Sequence, residues 1–258
     1  MRIDLNRYEV RLAESDEEVA AAQRLRYRVF VEEMGAVPSP ENRKMRLERD
    51  RFDPYFDHLI MIDRHWRGDP LDRVVGVYRL LCGSVAEQAC GFYGADEYDL
   101  SLLANSGRKT VELGRSCVAA ENRGGPAVLL LWKALADYVI ERDIKIMFGV
   151  ASFHGTDPGP IAEALSYLYQ NHLAPPDLRV RARPDNLVAM DRVPAEEINA
   201  ARAMREMPSL IKSYLRLGGF VGEGAYADRL FNTIDVCLLM DTERMTARYR
   251  NFYTRGAA

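Results

Sequence analysis

The residues best suited to chemistry in this chain lie between positions 111 and 127. The run Val111-Glu112-Leu113-Gly114-Arg115-Ser116 reads as a strand, which puts Glu112, Gly114 and Ser116 on one face and Leu113, Arg115 and Cys117 on the other. A carboxylate beside a glycine and a hydroxyl makes a polar surface that a ligand can approach closely, and the carboxylate can take a proton from an attacking group. Glu112 is therefore a candidate base, with a salt bridge to an arginine such as Arg26 or Arg79 as its other reading. The segment Asn122-Arg123-Gly124-Gly125-Pro126-Ala127 forms a glycine-rich loop that opens a helix. Free N–H groups at a helix N-terminus suit a phosphate. His154, beside Gly155-Thr156-Asp157 at the end of a later strand, is a second base candidate, or else a hydrogen-bonded loop residue.

The elements that must position these groups follow from periodicity. Tyr8, Val10 and Leu12 alternate with charged residues as in a half-buried strand. Ser15 and Glu18 then form a capping box before Val19, Ala22, Leu25 and Val29, which predicts one long helix to Met34–Gly35. Strands are expected over 58–63, 73–81, 110–118, 144–152 and 231–240, with a short edge strand at 179–183. Helices are expected over 127–142 and 159–172, and Pro194 and Pro208 each open another. Residues 82–109 and 185–217 read as helical insertions, and the tail as a basic amphipathic helix. The alternation predicts one α/β domain over 1–258: a mixed sheet of about seven strands flanked by helices, with a core over 5–240 and a basic tail over 241–258.

Composition narrows the function classes. The chain has 258 residues, 48% of them hydrophobic and 28% charged, which suits a packed globular protein. The longest apolar run, Ala127–Trp132, is far short of a membrane span, and the first thirty residues, which carry Asp4, Glu9, Glu14, Asp16, Glu17 and Glu18, hold no apolar signal-peptide core. A net charge of −3 argues against general nucleic-acid binding. Cys82, Cys90, Cys117 and Cys237 form no CxxC pair, and the four histidines show no HExxH spacing, so reduced thiols and no metal site are expected. Basic clusters occur over 24–51, at Arg179, Arg181 and Arg183, and at Arg244, Arg248, Arg250 and Arg255 in the tail. They are solvated faces or a surface for an acidic partner.

Strand, glycine loop and helix in this order resemble the acyl-thioester site of the GCN5-related N-acyltransferases (GNAT). Gly125-Pro126-Ala127 fits the second half of that superfamily's loop, whereas Asn122 stands where it has Gln or Arg. The segments Leu25–Glu33, Phe52-Asp53, Arg79-Leu80-Leu81 and Glu112-x-x-Arg115 resemble the acyl-homoserine-lactone synthases, without their tryptophan after the Phe30 helix and with a longer C-terminus. Ser152–Pro158, Pro208–Phe220 and Phe231-Asn232-Thr233-Ile234-Asp235-Val236 resemble the ornithine-lipid N-acyltransferases, and the likeness runs from about Arg24 to about Met240.

The resemblance implies a GNAT-like fold and transfer of a 3-hydroxyacyl group from an acyl-carrier-protein thioester to the α-amine of ornithine, giving a lyso-ornithine lipid. Glutamine as acceptor and a lactone-synthase activity are the alternatives. It implies Glu112 as base and the Val118 amide as oxyanion donor at a strand bulge near Ser116–Val118, with Arg123, Gly124, Gly125 and Ala127 holding the phosphopantetheine. Arg26, Phe30, Asp53, Asp57 and Arg79, with Ser116 and His154, would line the acceptor pocket. The charged members form either a pocket for the acceptor's charges or an ion-pair network that orders the N-terminal arm. Tyr167 or Tyr169 could protonate the leaving thiolate, and Lys212 and Arg216 could meet an acidic carrier; core packing and a solvated face are their plainer readings. No metal and no redox cofactor is implied. The expected setting is cytoplasmic, with the basic tail resting on the inner face of the membrane.

Overall fold

The computed structural model describes residues 5–124 and 126–244. Gly125 and most of the basic tail, with its expected helix, therefore lie outside the described residues. The strands are β1 (Tyr8–Leu12), β2 (Asp57–Asp63), β3 (Val74–Cys82), β4 (Tyr98–Asp99), β5 (Thr110–Val118), β6 (Ile146–His154), β7 (Arg181–Ala182), β8 (Leu187–Val188), β9 (Phe220–Val221), β10 (Ala225–Asp228) and β11 (Thr233–Asp241). The helices are α1 (Asp16–Arg26), α2 (Pro40–Met45), α3 (Gly83–Val85), α4 (Ser101–Ala104), α5 (Ala127–Glu141), α6 (Ala162–His172), α7 (Ala200–Glu206) and α8 (Ser209–Arg216). The chain divides into two compact units, each assembled from separated stretches: 5–82 with 113–143, and 83–112 with 144–244.

In the first unit β1 pairs antiparallel with β2, β2 antiparallel with β3, and β3 with β5. Helix α1 packs on β3, and α5 packs on β2 and β3. Gly76 makes the second contact close, since a Cβ there would lie 2.9 Å from Leu131 Cδ1. Ser15 caps α1 by accepting the Glu18 amide at 3.3 Å. The Glu18 carboxylate reaches the Glu14 amide at 2.9 Å and meets Arg11 and Arg73, which ties the helix start to β1. The expected single helix changes form after Arg26: residues Tyr27–Glu33 widen into π geometry, with Met34 N–H bonded to the Val29 carbonyl at 3.1 Å. Such a widening rotates the following side chains relative to an α-helical register.

In the second unit the first residues of β5, Thr110–Glu112, run parallel to Ile146–Phe148 of β6. Strand β6 pairs antiparallel with β11 along its whole length, from Ile146 opposite Asp241 to His154 opposite Thr233. The outer side of β11 takes β10 at Thr233–Asp235 and β9 at Leu238–Leu239, and β10 takes β8. Strands β4 and β7 form a separate ribbon. Every residue of β11 is buried. Helix α6 packs on α7 and β9, and α8 on β11.

Mixed strand directions agree with the expected class. Among the described residues nine strands take part in the main ladders rather than seven. Six of them are expected strands, the seventh expected one at 179–183 falls on β7 in the separate ribbon, and the other three are β8, β9 and β10, two to four residues long and too short to leave a period in the sequence. Among the described residues no disulfide joins Cys82, Cys90, Cys117 or Cys237. Among the described residues no helix is long and apolar enough to cross a membrane.

Candidate active site

In the first unit the structure gathers Arg26, Asp53 and Arg79 into one buried network with Glu48, Asp50 and Arg115. Arg26 and Arg79 are both 0% exposed. Arg26 donates to Glu48 Oε2 at 2.5 Å and to Asp53 Oδ1 at 2.7 Å. Arg79 Nη1 lies 2.8 Å from Asp50 Oδ1, Asp50 Oδ2 and Asp53 Oδ1, and its guanidinium stacks over the Phe56 ring at 4.3 Å. Arg115 reaches Glu48 Oε1 at 3.2 Å and Asp50 Oδ2 at 3.5 Å. Three guanidiniums and three carboxylates thus balance. Burial alone would raise the Glu48 carboxyl, but Arg115, Arg26 and Arg79 hold it at about 2. Burial likewise opposes the ionised form of Asp53, and Arg26 and Arg79 overcome it and hold the carboxyl below its ordinary range. Asp57 stands in a different group: it accepts from the Tyr138 hydroxyl at 2.8 Å, and that hydroxyl also meets Cys82 Sγ at 3.1 Å. Phe30 lies half-buried in the π segment.

Arg115 owes its place to the backbone. Its φ is +50°, a left-handed conformation inside a strand, immediately before the position where the sequence led us to expect a bulge. Regular backbone therefore breaks there, and Arg115 reaches into the ion-pair network. Ser116 is half-buried. The Val118 carbonyl accepts from Arg123 Nε at 2.9 Å, and Arg123 Nη2 also bonds Glu33 at 2.7 Å. Gly124 follows with φ +75°, and Ala127 is the buried first residue of α5. The Cys117 thiol, fully enclosed beside this turn, is pushed up to about 12, mainly by burial.

In the second unit Glu112 is 3% exposed and accepts the Tyr93 and Gly94 amides at 2.7 and 2.6 Å, one on each oxygen. Cross-strand partners share a sheet face. Glu112 stands beside Phe148, and Phe148 beside Leu239; Thr233, Asp235 and Cys237 alternate on that same face of β11, with His154, Ser152 and Val150 opposite them on β6. On the other side Asp228 and Tyr226 of β10 stand opposite Thr233 and Asp235. His154 is exposed, and Ser152 and Asp228 are half-buried, so this face opens toward one end. The 92–98 segment covers it: Phe92 packs edge-on against Phe148, Gly94 sits on Glu112, and the Tyr98 hydroxyl lies 3.0 Å from the Gly224 and Asp235 carbonyl oxygens. One carboxylate oxygen from each of Glu97, Asp228 and Asp235 lies within 4.8 Å of the other two, a spacing that can hold a cation. Burial, together with Glu112 and Glu97, raises the Cys237 thiol above its ordinary value.

Comparison with known proteins bears on the whole chain. Residues 25–133 match the acetyltransferase (GNAT) domain family. An L-ornithine N(alpha)-acyltransferase of Rhodobacter capsulatus is 54% identical over 96% of this chain and 95% of its own. This chain belongs to the L-ornithine N(alpha)-acyltransferase family. The Brucella abortus member is 44% identical over 95% of this chain and 88% of its own. Among solved structures, FeeM, an N-acyl amino acid synthase from uncultured soil microbes, has a TM-score of 0.55 at 11% identity, covering 95% of this chain and 97% of that one. The AHL synthase LasI has a TM-score of 0.51 at 15% identity, covering 96% and 95%. The fold is shared with both.

For this family member, sequence reasoning located Glu112 and His154, which the register puts on one sheet face, and the Arg26–Asp53–Arg79 group. It gave no role to Glu48, Asp50, Glu97, Asp228, Thr233 or Asp235. A signal existed for two of these: Thr233 and Asp235 alternate with Ile234 and Val236, which places two polar groups on one face of an otherwise apolar strand. Glu97 and Asp228 carried none, since each is one acid in a polar turn. Tyr167 lies on α6 with its ring tilted against His172 at 5.6 Å, Tyr169 is on the same helix, and Lys212 and Arg216 lie on α8.

Proposed function

We propose that this chain transfers a 3-hydroxyacyl group from an acyl-carrier-protein thioester to the α-amine of L-ornithine, yielding a lyso-ornithine lipid. The observation that carries the reading is the near full-length 54% identity to an L-ornithine N(alpha)-acyltransferase. In the reaction the amine nitrogen attacks the thioester carbonyl, a C–N bond forms, the oxyanion collapses and the C–S bond breaks. The amine proton leaves by way of a base, and the thiolate is protonated on departure.

We assign roles on β5 and its loop as follows. The Val118 amide is the oxyanion donor; the Arg123 bond to the Val118 carbonyl fixes the peptide that follows it. Arg123, Gly124, Gly125 and Ala127 hold the phosphopantetheine, with the N-terminus of α5 toward its phosphate. Glu112 accepts one backbone amide on each oxygen, which holds the carboxylate in place. Its part is to receive the amine proton through a water. The exposed His154 lines the acceptor's approach, whereas full burial and mutual ion pairing fit Arg26, Asp53 and Arg79 to holding the N-terminal arm in shape rather than touching substrate. The setting is the cytoplasm, with product released at the membrane face.

The test is a thiol-release assay with the purified full chain, 3-hydroxyacyl-carrier protein as donor, and L-ornithine or L-glutamine as acceptor, with mass spectrometry of the lipid product. Thiol release dependent on ornithine, with acyl-ornithine as product, is expected. No release with ornithine, or faster release with glutamine, overturns the reading.

A further inference from the structure

We infer that Glu97, Asp228 and Asp235, with Thr233, form a cation subsite that takes the side-chain ammonium of the acceptor and so selects a diamino acid. This rests on ornithine being the acceptor, as proposed above. The spacing fits the ligand: three acceptors about 2.8 Å from one ammonium nitrogen, in tetrahedral directions, stand roughly 4.6 Å apart. The three carboxylate oxygens lie within 4.8 Å of one another.

A second observation points to the same ligand. Thr233 is 2% exposed, and its Oγ1 has no hydrogen-bond partner among the described residues. It stands directly opposite Asp228 in the β10–β11 ladder and two residues from Asp235, so its side chain shares their face. A buried hydroxyl without a partner is costly, and a bound donor at this place satisfies it. The geometry is built rather than incidental. A tight hairpin with Asn232 at φ +55° sets Asp228 against Thr233, and Asp228 Oδ1 is fixed by the Leu230 and Phe231 amides at 2.7 and 3.1 Å. The field is negative: burial, then Cys237, Glu97 and Asp235, push the Tyr98 hydroxyl well above its ordinary value. Asp228 is only half-buried, which leaves a side from which a flexible ammonium chain can enter.

The test compares L-ornithine with L-norvaline, the same amino acid without the terminal ammonium, in the thiol-release assay with wild type, Asp228→Asn, Asp235→Asn and Glu97→Gln. The expected result is a KM for ornithine raised roughly ten- to hundredfold in the variants, with norvaline turnover little changed, so that the ornithine-to-norvaline ratio of kcat/KM collapses. Norvaline turnover reports that each variant is folded; should Asp235→Asn fail to fold, the half-buried Asp228→Asn decides. An unchanged ratio overturns the subsite. So does an equal loss with both substrates in Asp228→Asn, or a wild-type activity that EDTA abolishes and Mn²⁺ restores, since the carboxylates would then hold a metal. A wild type inactive toward ornithine overturns the proposed function and this subsite with it, whereas ornithine activity with an unchanged ratio removes the subsite alone.

Discussion

Two groups of buried charge in this chain are built on opposite plans. In the first unit Arg26, Arg79 and Arg115 are matched against Glu48, Asp50 and Asp53, and ion pairs at 2.5–3.5 Å join all six. In the second, Glu97, Asp228 and Asp235 bring three charges of one sign together on the sheet face of the Thr233 hydroxyl, which has no hydrogen-bond partner among the described residues. A charge-balanced network gains little from a further ligand and loses much when one member goes. A group of like charges, by contrast, gains from a bound cation. The same residue types thus serve structure in one place and, in our reading, recognition in the other.

The contrast breaks most readily at Arg79. Arg79→Ala leaves Asp53 with Arg26 and Asp50 with Arg115 as their remaining ion-pair partners and unbalances the buried charge, and a loss of about 3–5 kcal/mol in urea-unfolding stability is expected. Asp235→Asn removes a repulsion, so its unfolding free energy should stay within about 1 kcal/mol of wild type while ornithine recognition fails. Equal stability of Arg79→Ala and wild type would remove the structural role of the first network.

Acid sharpens the comparison. The Glu48 carboxyl is held at about 2, below its ordinary 4.5. A depressed carboxyl contributes stability that is complete above its unfolded value and lost as pH falls through the folded one. Urea-unfolding free energy should therefore drop between about pH 4.5 and 2. Glu48→Gln should be less stable at pH 7 and show a shallower drop; an unchanged slope would mean that Glu48 does not carry the effect.

Smaller effects are expected around Glu112. A Cβ on Gly94 would meet Glu112 Oε1 at 3.0 Å, so Gly94→Ala should loosen the amide clamp and lower kcat several-fold at little cost in melting temperature. The smallest is Gly124→Ala, whose φ of +75° costs roughly 1–2 kcal/mol for a residue with a Cβ; it should read out as a raised KM for the acyl donor. A donor KM unchanged in that variant would detach the loop from donor binding.

These differences also explain what the sequence could convey. Long elements announced themselves: the alternation at Tyr8–Leu12, the apolar run opening α5 and the nine-residue β11. The short strands β8 to β10 did not, because they exist through pairing with β11 and with one another rather than by any local pattern. The left-handed φ of Arg115 left no trace either, because periodicity assumes regular backbone, and its ion-pair partners Glu48 and Asp50 lie more than sixty residues away in the sequence. Glu112 stood out as a strand carboxylate, but its two amide partners come from a turn near position 93 that no spacing rule predicts. The acid triad comes from three separate positions in the chain, so of its members only Asp235, alternating with Thr233 on β11, left a trace in the linear pattern.

The most direct test of the division between structural and recognition charges is an experimental structure of the chain with L-ornithine bound. The account predicts the δ-nitrogen within hydrogen-bond distance of the Glu97, Asp228 and Asp235 carboxylates, and the Arg26–Glu48–Asp53–Arg79 pairs unchanged. A δ-nitrogen placed elsewhere, or one paired with Glu48, Asp50 or Asp53, would contradict it.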